Sequence, residues 1–245
     1  MAALLDDEFS GTMSPETVRR SLSGACFTHK KTHRDKDYRN SILNKEKRRQ
    51  YVVELYRQIG MGKSKSEERA VENNTTGKGK NIHVIACVSE RGLEYHESRF
   101  VSFKAVDCNA FIERLLHHIA QSDDINEIVL VVDSAQCHYS VENIMRDDDF
   151  DAATILKLGP YSPMLNPIEN VFSTYKSAVK CFLARNRAAT RQVPPSSTIV
   201  EQRSRFLEIA ADLILREVMT VKLCSSCSRH TAAYHVMVWM GLTCL

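Results

Sequence analysis

The sequence predicts an α/β fold: a mixed sheet with helices on its faces. Three observations carry that expectation. Glu127 to Val132 reads EIVLVV, a compact apolar run of strand length. Ile82 to Ser89 reads IHVIACVS and is followed by Glu90-Arg91-Gly92, a strand and a turn leading into a partner over Leu93 to Phe103. Helical patterns separate these short strands, which is the order of an α/β sheet rather than of a bundle or a sandwich.

The composition allows such a core. The chain has 245 residues, 43% of them apolar and 26% charged, which excludes wholesale disorder. No run approaches the ~18 apolar residues of a membrane span. MAALLDDEFSG has no basic region before its apolar patch, so no secretory leader is expected. The eight scattered cysteines are therefore expected to be reduced.

From the N-terminus, Ser14-Pro15-Glu16-Thr17 opens a helix, with Ser14 as cap and Pro15 at its first position. Val18 and Leu22 share its apolar side, Arg19 and Arg20 lie off it, and Gly24 ends it. That pattern suits the second helix of a helix-turn-helix, a partial one over 1–27. Residues 28–62 read as a basic linker and helix. Lys30 to Arg49 holds nine basic and three acidic residues, and Lys30 to Lys80 fifteen against seven. The formal charge of the whole chain is only +3. Such a concentrated positive stretch attracts a polyanion. Asn44 to Gln58 is helical, with Val52, Leu55, Tyr56 and Ile59 as a packing side and Lys45, Lys47, Arg48 and Arg49 as charge.

The next segment, MGKSKSEERAVENNTTGKGKN, is polar and punctuated by glycine, hence a loop or hairpin. Gly62-Lys63-Ser64 is not a phosphate loop, because position 57 is arginine and no buried strand precedes it. Beyond the hairpin, Asp107 is placed to cap a helix over Cys108 to Gln121, with Phe111, Ile112, Leu115, Leu116 and Ile119 as its apolar stripe. His117 and His118 point about 100° apart on that helix and do not share a metal. A further helix is expected from Ser140, a strand over Thr154 to Leu158, and a long helix over Asn166 to Phe182.

Two carboxylates stand out. Asp133 follows the EIVLVV strand, at the strand end where α/β sheets place ligands. Glu169 lies in the first turn of the long helix, where Asn166 as cap and Pro167 at the first position make it equally a capping residue. Converging carboxylates would hold Mg²⁺ or Mn²⁺, and two such ions can cleave a phosphodiester. Over 186–245, a linker from Arg187 to Thr198 precedes a helix over Glu201 to Met219 and a terminal hairpin. Cys224 and Cys227, with His230 and His235, carry a zinc-like spacing. They read instead as thiols of that hairpin, so zinc is not expected.

IVLVVDSAQCH and ILKLGPYSPMLNPIENVFSTYKSAVK together resemble the catalytic domain of Tc/mariner transposases, the DDE endonucleases with a ribonuclease-H-like fold. GKGKNIHVIACVSERG at 77–92 resembles the strand after that family's first catalytic carboxylate. SPETVRRSLSGACFTHKKTHRDK at 14–36 resembles the end of its paired helix-turn-helix region. The resemblance implies an endonuclease-like domain over 63–185 in which three acids bind two metal ions. Asp133 would be the second acid and Glu169 the third, with His138 and Asn166 beside them. Lys176 and Lys180 would meet substrate phosphates, joining Arg19, Arg20, Lys30, Lys31, Arg48 and Arg49 as DNA contacts. It further implies DNA terminal repeats as partner, homodimerisation and a nuclear location.

The chain departs from the family in three ways. Ser134 stands where the family has Asn, and Met164 where it often has Asp. No hydrophobic strand ending in Asp lies between Gly60 and Ile82, so the first central strand and its acid are expected to be missing. Asp35 and Asp37 lie in the basic linker, Asp6 and Asp7 before the first helix, and Glu54 within a helical pattern. The expected product is a DNA-binding protein with an incomplete metal site. An active DDE enzyme whose first carboxylate comes from elsewhere, and a non-enzymatic adaptor that keeps only the fold, are the alternatives.

Overall fold

The computed structural model describes residues 37–73, 80–133, 138, 141, 144 and 153–241, with Asp37 and Ser64–Asn73 described by backbone alone. The expected helix at Ser14, the helix from Ser140, and Arg19, Arg20, Lys30 and Lys31 lie outside these residues. Of the two units into which the chain divides, Met1–Asp37 and Tyr38–Leu245, the second carries the fold below.

A 3-10 turn (Asp37–Asn40) leads into α1 (Ile42–Gly60). The Asn44 amide donates to Ser41 Oγ at 3.4 Å and caps this helix. Then come β1 (Ser64–Asn73), β2 (Ile82–Ser89), β3 (Gly92–Arg99), α2 (Ala105–Ile119), β4 (Ile128–Val132), β5 (Thr154–Lys157) and α3 (Pro167–Arg185). A short α4 (Arg187–Arg191) follows where a linker was expected. α5 (Ile199–Ile209) continues through a π turn (Ala210–Ile214) into α6 (Leu215–Val218), and α7 (Val221–Trp239) ends the fold. No described helix is long and apolar enough to cross a membrane.

Among the described residues the strands form one sheet in the order β3-β2-β1-β4-β5. β2 runs antiparallel to β1 and β3, whereas β1, β4 and β5 are parallel. The mixed sheet is therefore as expected, but its centre is not. The slot expected to be missing a strand is filled by β1, from the polar segment read as loop or hairpin. It pairs with β2 from Ser66–Ser89 to Asn73–Ile82, and with β4 from Ser64–Ile128 to Glu68–Val132. The physical reason lies in the backbone. β2 and β4 would each leave a row of N–H and C=O groups open at the sheet centre, and a polar strand satisfies them as well as an apolar one.

Helices close both faces. Phe111, Ile112, Leu115, Leu116 and Ile119 of α2 pack on Ile85, Cys87, Leu130 and Val132. On the opposite face, Ile168, Val171, Phe172, Tyr175 and Val179 of α3 pack on Val84, Ala86 and Val88. Tyr51, Val52 and Leu55 of α1 join Val129, Val131, Leu158, Leu165 and Val238 beside them. The α2 stripe is thus as predicted, but its start is one turn earlier. Asp107 is not the cap residue; it sits inside the first turn, where its carboxylate accepts from the Lys104 amide at 2.8 Å. A carboxylate at that position meets the same free amides from within the helix.

Candidate functional site

β4 is buried along its whole length, and Asp133 is the first residue beyond it. A carboxylate there must leave the core or find a partner. Its side chain is 24% exposed, and Oδ1 lies 3.3 Å from Nε2 of His138, a residue 1% exposed. The sequence motif that paired Asp133 with His138 therefore corresponds to a direct contact.

The chain returns to this end of the sheet along β5. Past Val132–Lys157, the last β4–β5 pair, the Leu158 amide donates to the Val132 carbonyl at 2.9 Å. Gly159 then passes so close to α1 that a Cβ there would lie 2.9 Å from the Arg48 backbone nitrogen. Ser162 Oγ donates to the Pro160 carbonyl at 3.2 Å, and a 3-10 turn (Pro163–Leu165) delivers the chain to α3. Leu165 packs with Val129 and Val131, which fixes the entry of α3 against the β4 face on which alternation also places position 133.

Glu169 lies in the first turn of α3 and is half-buried. Its backbone N–H donates to the Asn166 carbonyl at 3.2 Å. The expected cap does not form: the Asn166 side chain makes no capping bond. Asn166 is 1% exposed, and among the described residues neither its amide oxygen nor its amide nitrogen has a hydrogen-bond partner. Packing around Pro167 and Ile168 turns Asn166 inward, so it cannot reach the helix amides. Lys176 and Lys180 follow Glu169 at seven and eleven residues, which returns both to its side of the helix. Lys176 is half-buried and Lys180 exposed.

The basic residues separate. Arg49 is exposed. Arg48 is not: it is 3% exposed, and its Nη2 donates to the Arg39 carbonyl at 2.5 Å and to Asn40 Oδ1 at 3.1 Å. It lies three and four residues before Tyr51 and Val52, on the packing side of α1, and ties the preceding turn to the helix. Cys224 and Cys227 are buried in the cluster beneath α3. His235 on the same helix faces the rings of Tyr51 and Tyr56, at centroid distances of 6.2 and 5.8 Å.

Sequence reasoning missed one cluster on this edge. Tyr161 takes a left-handed backbone conformation (φ 56°), and its ring meets Tyr38 edge-on with centroids 5.5 Å apart. The Arg39 guanidinium stands 5.7 Å from the same ring. Nothing in the Gly-Pro-Tyr-Ser-Pro string signals an outward-facing tyrosine.

A two-metal centre needs several converging oxygen ligands. Among the described residues no three His, Cys, Asp or Glu side chains gather in that way. The central strand contributes no aspartate. Glu67 and Glu68 stand across from Val131 and Val132, and the residue after them is Arg69. Asp133 and Glu169 are the right chemical type for Mg²⁺ or Mn²⁺, but the described donor set does not fit a metal pair.

Comparison with known proteins gives the family and the fold. Residues 52–190 match the model of the DDE superfamily endonucleases. No curated protein matches the sequence. Among solved structures, the chain resembles the Mos1 transposase paired-end complex with left transposon end at 12% identity and a TM-score of 0.57, over 98% of this chain and 77% of that one. It resembles the Mos1 transposase catalytic domain solved with raltegravir and Mg at 12% identity and a TM-score of 0.55, over 82% of this chain and 96% of that one. The same catalytic domain has also been solved with Mn, and matches with a TM-score of 0.54. The likeness is one of fold, and the fold is ribonuclease-H-like.

Proposed function

The chain belongs to the DDE superfamily endonucleases, and from that premise we propose that it is a transposase-derived DNA-binding protein that neither cuts nor joins strands. One observation carries the reading. The central strand next to β4 is SKSEERAVEN, which has no aspartate to complete the acid set with Asp133 and Glu169. The two remaining carboxylates suit a single hard divalent ion, Mg²⁺ or Mn²⁺, bound more weakly than a shared pair. A complete acid set would hold two such ions, and the chemistry supplied there would be activation of the attacking oxygen and stabilisation of the leaving one. Here Asp133 lies 3.3 Å from His138 at the end of β4, and Glu169 is presented in the first turn of α3.

Binding is assigned to charge. Arg49 and Lys180 are exposed, Lys176 lies between Glu169 and Lys180 on their side of α3, and Arg19, Arg20, Lys30 and Lys31 precede the described fold. Cations of this kind bind phosphates by releasing counterions. The partner is DNA, with element terminal repeats as the favoured target, the assembly a homodimer and the location the nucleus.

A specific observation supports one competing reading, an active metal-dependent endonuclease. Glu67 and Glu68 stand at the level of Val131 and Val132, so an acidic residue of β1 would replace the family's aspartate. Incubating the purified full chain with intact and pre-nicked terminal-repeat duplexes in Mn²⁺ separates the two. The proposal expects salt-dependent binding with no cleaved or joined product. Robust metal-dependent cleavage, lost on Asp133→Asn, would establish the active enzyme instead.

A further inference from the structure

Tyr161 is the one non-glycine residue among those described with a positive φ. A bulky side chain there is held in an uncommon conformation, of the kind that clusters at ligand-contacting positions. Tyr161 is 48% exposed, and Tyr38, which meets it edge-on, is 51% exposed. The Arg39 guanidinium adds a cation 5.7 Å from the Tyr161 centroid.

The mount beneath these rings is rigid. Arg48 bonds the Arg39 carbonyl and the Asn40 side chain, and Gly159 presses on the backbone of Arg48. The cluster stands on the loop between β5 and α3. That loop leaves the sheet where Leu158 pairs with Val132, one residue before Asp133. Two half-exposed aromatic rings and a guanidinium therefore stand at the edge of the sheet that carries the site carboxylate.

We propose that Tyr38, Tyr161 and Arg39 form a stacking site for an unpaired nucleobase of DNA. The proposal rests on the DNA-binding reading and refines it: the preferred ligand is a frayed or single-stranded end rather than uninterrupted duplex. A base inside duplex DNA offers only its edges in the grooves. An unpaired base exposes its π face, which tyrosine rings and an arginine accept whatever the sequence.

The test uses the full chain and a duplex carrying 2-aminopurine in a short unpaired overhang, beside a blunt duplex of the same sequence. The wild type is expected to quench the 2-aminopurine fluorescence and to bind the overhang about tenfold more tightly than the blunt duplex. Tyr161→Leu and Tyr38→Leu, which keep apolar bulk, are expected to abolish the quench and bring overhang affinity down to the blunt level. Tyr161→Phe keeps both properties, and blunt-duplex affinity is the same in all variants. If the wild type binds both duplexes alike without quenching, or if the Leu variants quench as it does, stacking at this cluster is wrong while DNA binding stands. If neither duplex binds at low salt, the DNA-binding reading fails as well.

Discussion

Gly159 has no room for a side chain. A Cβ would stand 2.8 Å from Arg48 Cγ and 2.9 Å from the Arg48 backbone, and the backbone of a helix packed through this face cannot yield cheaply. Gly159→Ala is expected to cost about 1–3 kcal/mol in urea denaturation. Asn166 presents the opposite case. Its buried amide has no hydrogen-bond partner among the described residues, so replacing it with an apolar group of similar size removes a desolvation cost. Asn166→Leu is expected to stabilise the fold by about 1 kcal/mol, and a loss of that size would mean the amide is engaged. Arg48 and Arg49 are neighbours with different work. Arg49→Ala should reduce the slope of log affinity against log salt by about 1. Arg48→Ala should leave the slope alone and lower stability, because it strips the turn at Arg39 and Asn40 of its tie.

Elements differed in how legible they were. β2, β4 and the α2 and α3 stripes could be read because each buries a continuous apolar pattern, and pattern is what sequence periodicity reports. β1 could not, since five of its ten residues are charged. Its place comes from backbone groups on β2 and β4 that need partners, a demand made by the sheet and not written in the segment. The site divides likewise. The motif singled out Asp133, His138 and Glu169 as candidates, and the structure sets Asp133 beside His138 and Glu169 in the first turn of α3, whereas the burial of Arg48 was hidden by its charge even though its helical position matches Tyr51 and Val52. The start of α2 yields a prediction about acid. The Arg99 guanidinium, and then the Lys104 amide, hold the Asp107 carboxyl well below the usual carboxylate range. A carboxyl whose folded pKa is depressed adds stability that is full above its unfolded value, near ~3.9, and is lost as pH falls below it. Asp107→Asn should therefore flatten the decline of stability below that pH, measured by urea midpoints across an acid series.

At the scale of the molecule, a ribonuclease-H-like sheet keeps its architecture while its central strand is built from a polar segment without aspartate. In the proposed reading the fold outlasts the chemistry, because the two depend on different atoms. Backbone pairing on β2 and β4 and two apolar helix faces hold the sheet, whereas a metal pair needs oxygen ligands at one level of three elements. The claim at the centre is thus a stoichiometric one, and Mn²⁺ electron paramagnetic resonance on the purified chain reads it directly. The account predicts no more than one bound Mn²⁺ per chain, with a mononuclear spectrum that disappears in Asp133→Asn. An exchange-coupled pair of Mn²⁺ ions per chain, bound together and lost together, would contradict it.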